Sequence, residues 1–207
     1  MELNVVKVCG ITNVNDACFA ANNGATALGF IFVKRSPRCI DVNVASTISA
    51  VIPKGILRVG VFANESAADV REIARVAKLN VVQLHGDEVP EYCTELEGLR
   101  IWKAFPVRQF FDPDVMLSYD CEACLLDTVK PSGGFGGSGL NFQWSAVRDV
   151  KEGKRIIIAG GLDGDNVGSA IRELNPWGVD ASSRLESSTG VKDPKKVLSY
   201  LKAAKTA

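Results

Sequence analysis

The segment Val5-Val6-Lys7-Val8-Cys9-Gly10-Ile11-Thr12 decides how the rest of the chain is read. Its β-branched first half is bounded by a glycine and a turn, the pattern of a short strand buried on both faces, and it carries Cys9 to its carboxyl end. Side chains alternate along a strand, so Lys7 and Cys9 share one face while Val6 and Val8 share the other. If that face lines the inside of a barrel, the Lys7 ammonium needs a carboxylate partner and its charge favours the Cys9 thiolate. A cysteine here is equally a small packed hydrophobe, and a lysine also reaches solvent, so the segment alone leaves both readings open.

Outward from it, strand-like runs alternate with amphipathic, helix-like ones. Strand patterns fall at 4–8, 27–32, 57–62, 80–84, 100–105, 122–127, 155–159 and 177–181. Helix start signals lie between them. Asn13-Val14-Asn15-Asp16 precedes a helix over 16–23, Asn64-Glu65-Ser66 one over 66–78, and Asp163-Gly164-Asp165-Asn166 one over 166–174. Asp193-Pro194 opens a last helix running to about Ala204. The weakest helical pattern, over 110–118, contains Asp112-Pro113.

Strand alternating with helix implies crossover connections and a parallel sheet. Eight units without a break in composition predict an α/β fold, a single-domain (β/α)8 TIM barrel over residues 1–207, rather than an open doubly wound sheet. At 207 residues the chain is short for that barrel, so minimal loops are expected.

Composition narrows the function. The 24 basic and 24 acidic side chains cancel, so no global field recruits nucleic acid or an anionic membrane. No apolar run reaches a membrane span, and Met1-Glu2-Leu3-Asn4 lacks a signal-peptide pattern, so a cytoplasmic protein is expected. The six cysteines are expected to be free thiols. Cys121 and Cys124 have ligand spacing without companions, so no metal site is expected.

In such a barrel the active site lies at the carboxyl ends of the strands. Those ends carry Cys9, then Arg35 and Arg38, Asn64, His85, Lys103, Asp127, Gly160-Gly161 and Asp180-Ala181-Ser182-Ser183. The loops after strands 7 and 8 are the recurrent phosphate site of the fold, and Gly160, Gly161, Ser182 and Ser183 offer backbone amides and hydroxyls there. The loop after strand 6 is glycine-rich; its Gly136-Gly137-Ser138-Gly139 portion either brings donors to a ligand or is a connector. Asp127 suits a general acid or a helix cap. Arg38, in Ser36-Pro37-Arg38, is a fork for a substrate carboxylate or a solvated charge. His85 is the sole histidine, with a hydrogen-bonded structural role as the alternative to a base.

Together these residues resemble the phosphoribosylanthranilate isomerase family of tryptophan biosynthesis. The matching motifs are Lys7-Val8-Cys9-Gly10-Ile11-Thr12, Gly29-Phe30-Ile31-Phe32 with Ser36-Pro37-Arg38, Val59-Gly60-Val61-Phe62 and Gln83-Leu84-His85-Gly86. They continue through Leu125-Leu126-Asp127, Gly136-Gly137-Ser138-Gly139, Ala159-Gly160-Gly161-Leu162, Asp180-Ala181-Ser182-Ser183 and Gly190-Val191-Lys192-Asp193, from end to end of the chain.

The resemblance implies an Amadori rearrangement of N-(5-phosphoribosyl)anthranilate without a cofactor. It implies Asp127 as general acid and Cys9 as general base, Arg38 on the anthranilate carboxylate, and the Gly160-Gly161 and Ser182-Ser183 loops on the phosphate. Lys7, His85, Gly137, Ser138, Gly139 and Asp180 complete the expected substrate site. A small phosphosugar is the expected partner, with the chain a monomer or homodimer. We further expect Lys7 to pair with Asp180, because strand 8 adjoins strand 1 in a closed barrel.

Two rivals are another phosphosugar isomerase or lyase on this barrel, and a non-catalytic binding domain that keeps the phosphate loops. The chain also departs from the family pattern, which usually follows the serine pair with Gly-Val-Glu where this chain has Arg184-Leu185-Glu186. Arginine adopts left-handed geometry less cheaply than glycine, so a different loop is expected, with Arg184 either adding a cation to the phosphate site or lying outward.

Overall fold

The computed structural model describes residues 3–107, 112–128 and 154–207. Eight parallel strands form the barrel: β1 (Val5–Cys9), β2 (Ala27–Ile31), β3 (Leu57–Phe62), β4 (Val81–Leu84), β5 (Ile101–Val107), β6 (Ala123–Thr128), β7 (Arg155–Ala159) and β8 (Gly178–Ala181). Each pairs with the next in sequence, and β8 closes on β1 with Lys7 opposite Asp180.

The helices follow from their caps. In α1 (Val14–Asn22) the Asn13 side chain accepts from the Asp16 amide. Asp41 does the same for α2 (Val42–Val51) and Ser66 for α3 (Ala67–Val76). The short α4 (Tyr92–Glu95) lacks a side-chain cap. α5 (Val167–Leu174) ends on Asn175 in the left-handed conformation, and α6 (Pro194–Thr206) starts from Asp193 with proline in its first turn.

Three expectations change. The helix expected over 110–118 is a 3-10 turn, Pro113–Ser118, whose start is set by Asp112 accepting from the Asp114 amide. Between β8 and α6 the chain forms a second 3-10 turn, Ser183–Leu185, and a hairpin of β9 (Glu186–Ser188) and β10 (Val191–Lys192), none of which periodicity indicates. Lys103 is not a rim residue. It alternates with Trp102 and Ala104, which face inward, so its ammonium lies outside the barrel wall on Glu88 (2.7 Å) and the Gly86 carbonyl (2.7 Å). The expected ligand donors Gly137, Ser138 and Gly139 lie outside the described residues.

Two apolar layers result from the alternation. Val5, Ala27, Val59, Val81, Leu125 and Ile157 point inward around Trp102, whose ring meets Trp177 edge-on at 5.9 Å. Val6, Val8, Leu28, Phe30, Val82 and Leu126 point outward and pack with helix residues such as Ala17, Ile48 and Val70. Trp102 therefore fills the barrel interior, and the polar inward-facing residues lie toward the carboxyl ends of the strands. Among the described residues no helix is long and apolar enough to cross a membrane.

Candidate active site

At that end a cavity of about 530 Å³ opens to solvent, within the size range of small-molecule sites. Cys9 from β1 and Asp127 from β6 both line it. So do Gln83 and His85 from β4 and its loop, and Asp180 from β8. Each reaches the cavity because its position has inward parity on its strand.

Lys7 and Cys9 share the inner face. Lys7 is fully buried and donates to Asp180 Oδ2 at 2.8 Å. Burial alone pushes the Lys7 ammonium down, but the Asp180 carboxylate and the Cys9 sulfur outweigh it and the net direction is up. Burial drives the Asp180 carboxyl the other way, toward neutrality, against the pull of Lys7. We assign the charged pair, because the net direction at Lys7 keeps the ammonium protonated and the Asp180 carboxylate stands 2.8 Å in front of it. Asp180 lines the cavity, and its Oδ1 is buried without a hydrogen-bond partner among the described residues.

Lys7 favours the Cys9 thiolate as expected, but the net direction of the thiol is up. Burial raises it above its ordinary value; Lys7 and Lys192 pull it down without prevailing, and Asp180 adds to the rise. The sulfur also lies close over β2, where a Cβ on Gly29 would stand 2.6 Å from Sγ and 3.0 Å from the Cys9 Cα. Gly29→Ala is therefore expected to displace the sulfur and cost about 1–3 kcal/mol by overpacking. A lowered melting temperature together with slowed Cys9 alkylation checks this.

Across the cavity His85 Nε2 lies 3.4 Å from Asp127 Oδ2, and the Gln83 amide nitrogen 3.2 Å from His85 Nδ1. The His85 ring therefore stands between the Gln83 side-chain amide at Nδ1 and the Asp127 carboxyl group at Nε2. Gln83 was not singled out from sequence, although a buried polar residue at inward parity in an otherwise apolar strand is a readable signal.

Gly160 and Gly161 both have positive φ (92° and 68°), a geometry in which glycine avoids the Cβ penalty, and they line the cavity with Ser182 and Ser183. The Ser182 hydroxyl donates to the Cys9 carbonyl at 3.1 Å, tying this loop to β1. Arg184 lies within the 3-10 turn, so the strain expected of an arginine in place of glycine does not arise. Its Nε is paired with the Asp163 carboxylate, which links the loops after β7 and β8 at the cavity edge.

Arg38 stands beside this cavity rather than on its wall. Its Nε and Nη2 form a fork on Glu186 at 2.7 and 2.8 Å. Asn64, also expected at the rim, braces the next loop instead: its amide donates to Glu88 and its side chain accepts from Asp87.

The arrangement offers a thiol and a carboxyl group on one cavity, with amide and hydroxyl donors suited to an anion. The family model of N-(5'-phosphoribosyl)anthranilate isomerase matches residues 6–203. The chain belongs to that family. The enzyme of that name from Trichlorobacter lovleyi is 45% identical over 203 residues, with 98% of each chain covered. The crystal structure of phosphoribosyl anthranilate isomerase from Thermotoga maritima superposes with a TM-score of 0.86 at 37% identity, covering 100% of both chains. A crystal structure of a family enzyme in complex with reduced 1-(o-carboxyphenylamino)-1-deoxyribulose 5-phosphate gives 0.84 at 34% identity, covering 99% of this chain and 100% of that one. As a family member the chain is an isomerase built on the barrel described above.

Proposed function

We propose that this isomerase catalyses the Amadori rearrangement of N-(5-phosphoribosyl)anthranilate to 1-(2-carboxyphenylamino)-1-deoxyribulose 5-phosphate in tryptophan biosynthesis, with Asp127 as general acid and Cys9 as general base. The observation that carries it is that a thiol and a carboxyl group from strands β1 and β6 line one cavity beside the two phosphate-type loops.

Asp127 gives its proton to the furanose ring oxygen, the C1′–O bond breaks, and a Schiff base remains. Cys9, as thiolate, removes the C2′ proton and yields an enolamine, which tautomerises to the ketone. Reactant and product are isomers, so the chemistry needs no external redox cofactor. The Gly160, Gly161, Ser182 and Ser183 donors hold the phosphate, and Asp180 holds the Lys7 ammonium. His85 Nε2, 3.4 Å from Asp127 Oδ2, orients the Asp127 carboxyl group. Lys7 offsets part of the desolvation that opposes the thiolate. A resting thiol means that activity climbs with pH as Cys9 ionises, and we expect kcat/KM to rise from neutral into the alkaline range.

The test is a continuous assay of the purified chain for loss of substrate fluorescence. Turnover without added metal or cofactor supports the reading; binding of the product analogue without turnover defeats it. The chain works as a monomer or homodimer on this proposal, since every residue in the scheme comes from one chain.

A further inference from the structure

The hairpin β9–β10 contributes two buried charges that the reaction scheme does not use. Glu186 is 8% exposed and Lys192 4%. Glu186 accepts from Nε and Nη2 of Arg38, while Lys192 Nζ donates to the same carboxylate at 3.1 Å and to the Ser182 carbonyl at 3.2 Å. Ser182 in turn bonds the Cys9 carbonyl. All of this rests on Gly10, where a Cβ would stand 2.8 Å from Arg38 Cδ, 3.0 Å from Ser182 Oγ and 3.6 Å from Lys192 Nζ. A carboxylate held by two cations in this way is fixed in place, and it fixes the guanidinium plane in turn.

We propose that Glu186, anchored by Lys192, is a positioning residue that aims Arg38 at the substrate's ring carboxylate. The inference rests on the proposed function, in which Arg38 binds that group. Among the described residues nothing accepts from Arg38 Nη1, so with Nε and Nη2 committed to Glu186 that edge is the donor presented to a ligand. The trio carries one net positive charge, the complement of one carboxylate.

Charge and orientation make opposite predictions for Glu186→Gln. Removing an anion raises the local positive charge, so charge alone predicts tighter binding of a carboxylate. Loss of the fork lets the guanidinium rotate, and orientation predicts weaker binding.

The experiment measures affinities for two probes by calorimetry: reduced 1-(o-carboxyphenylamino)-1-deoxyribulose 5-phosphate, and its counterpart lacking the ring carboxylate. Wild type should prefer the carboxylated probe, and Arg38→Met should abolish the preference. Glu186→Gln should lower it by about tenfold, the scale of one charge-assisted hydrogen bond, leaving affinity for the other probe within about twofold. In turnover the same variant should raise KM more than it lowers kcat, whereas a merely structural lesion weakens both probes alike.

If Arg38→Met collapses the preference while Glu186→Gln keeps or strengthens it, the positioning role is wrong and the reading of Arg38 stands. If Arg38→Met leaves the preference intact, the reading of Arg38 itself fails. Should Glu186→Gln not fold, Glu186→Asp carries the same test, because the shorter side chain keeps the charge but cannot reach both Arg38 nitrogens and Lys192; an undiminished preference there overturns the proposal.

Discussion

Cys9→Ala and Asp127→Asn are each expected to lower kcat by roughly 10²–10⁴-fold, the usual contribution of one positioned acid or base. Binding of the reduced product analogue should persist in both, because neither substitution touches the loops at Gly160-Gly161 and Ser182-Ser183. Steady-state kinetics with calorimetry separates the two effects. The double variant should be scarcely slower than the worse single one, since acid and base serve one reaction path and their losses do not add. A variant that keeps more than about a tenth of wild-type kcat removes that residue from the proposed mechanism.

Lys7→Met is expected to have the largest effect on stability. It leaves the Asp180 carboxylate buried without its counter-ion, a loss of about 3–5 kcal/mol when one partner of a buried pair is removed. For a chain of this size that lowers the melting temperature by roughly 10 °C. The sign with pH follows from the direction of the shift. Lys7 is raised in the folded state, so its stabilisation is fully present below the unfolded pKa near 10.5 and is lost as pH rises through the folded value. Wild type and Lys7→Met should therefore converge in stability only in strongly alkaline solution.

The same substitution should push the Cys9 thiol further up, because Lys7 is the largest influence lowering it. Alkylation of Cys9, followed by peptide mapping across pH, reads this directly. An unmoved Cys9 profile would exclude Lys7 from the chemistry while leaving its part in stability intact.

Parity along strands was legible in the sequence wherever a strand is regular. Lys7 with Cys9, Asp127 and Asp180 all follow from a period of two, and each lies where that period puts it, facing the barrel interior. The pairing of Lys7 with Asp180 was legible for a further reason: closure makes β8 a neighbour of β1, although 173 residues separate the two side chains. Lys103 shows where strand-end position alone misleads. It lies in β5 among residues that do face the interior, but one residue out of phase, and its charge is met by Glu88 from the next loop over.

Local patterning and the chain's own connectivity were enough to determine the barrel, its strand order and which face of each strand meets the cavity, because alternation and crossover handedness are short-range properties. Tertiary structure decided what those properties do not encode. It decided that burial outweighs the neighbouring ammonium at Cys9, that Arg184 turns to Asp163 without backbone strain, and that Glu186, held by Lys192, comes back over Gly10 to grip Arg38. Solvation and long-range ion pairing depend on every group within several ångströms, and 148 residues separate Glu186 from the arginine it holds.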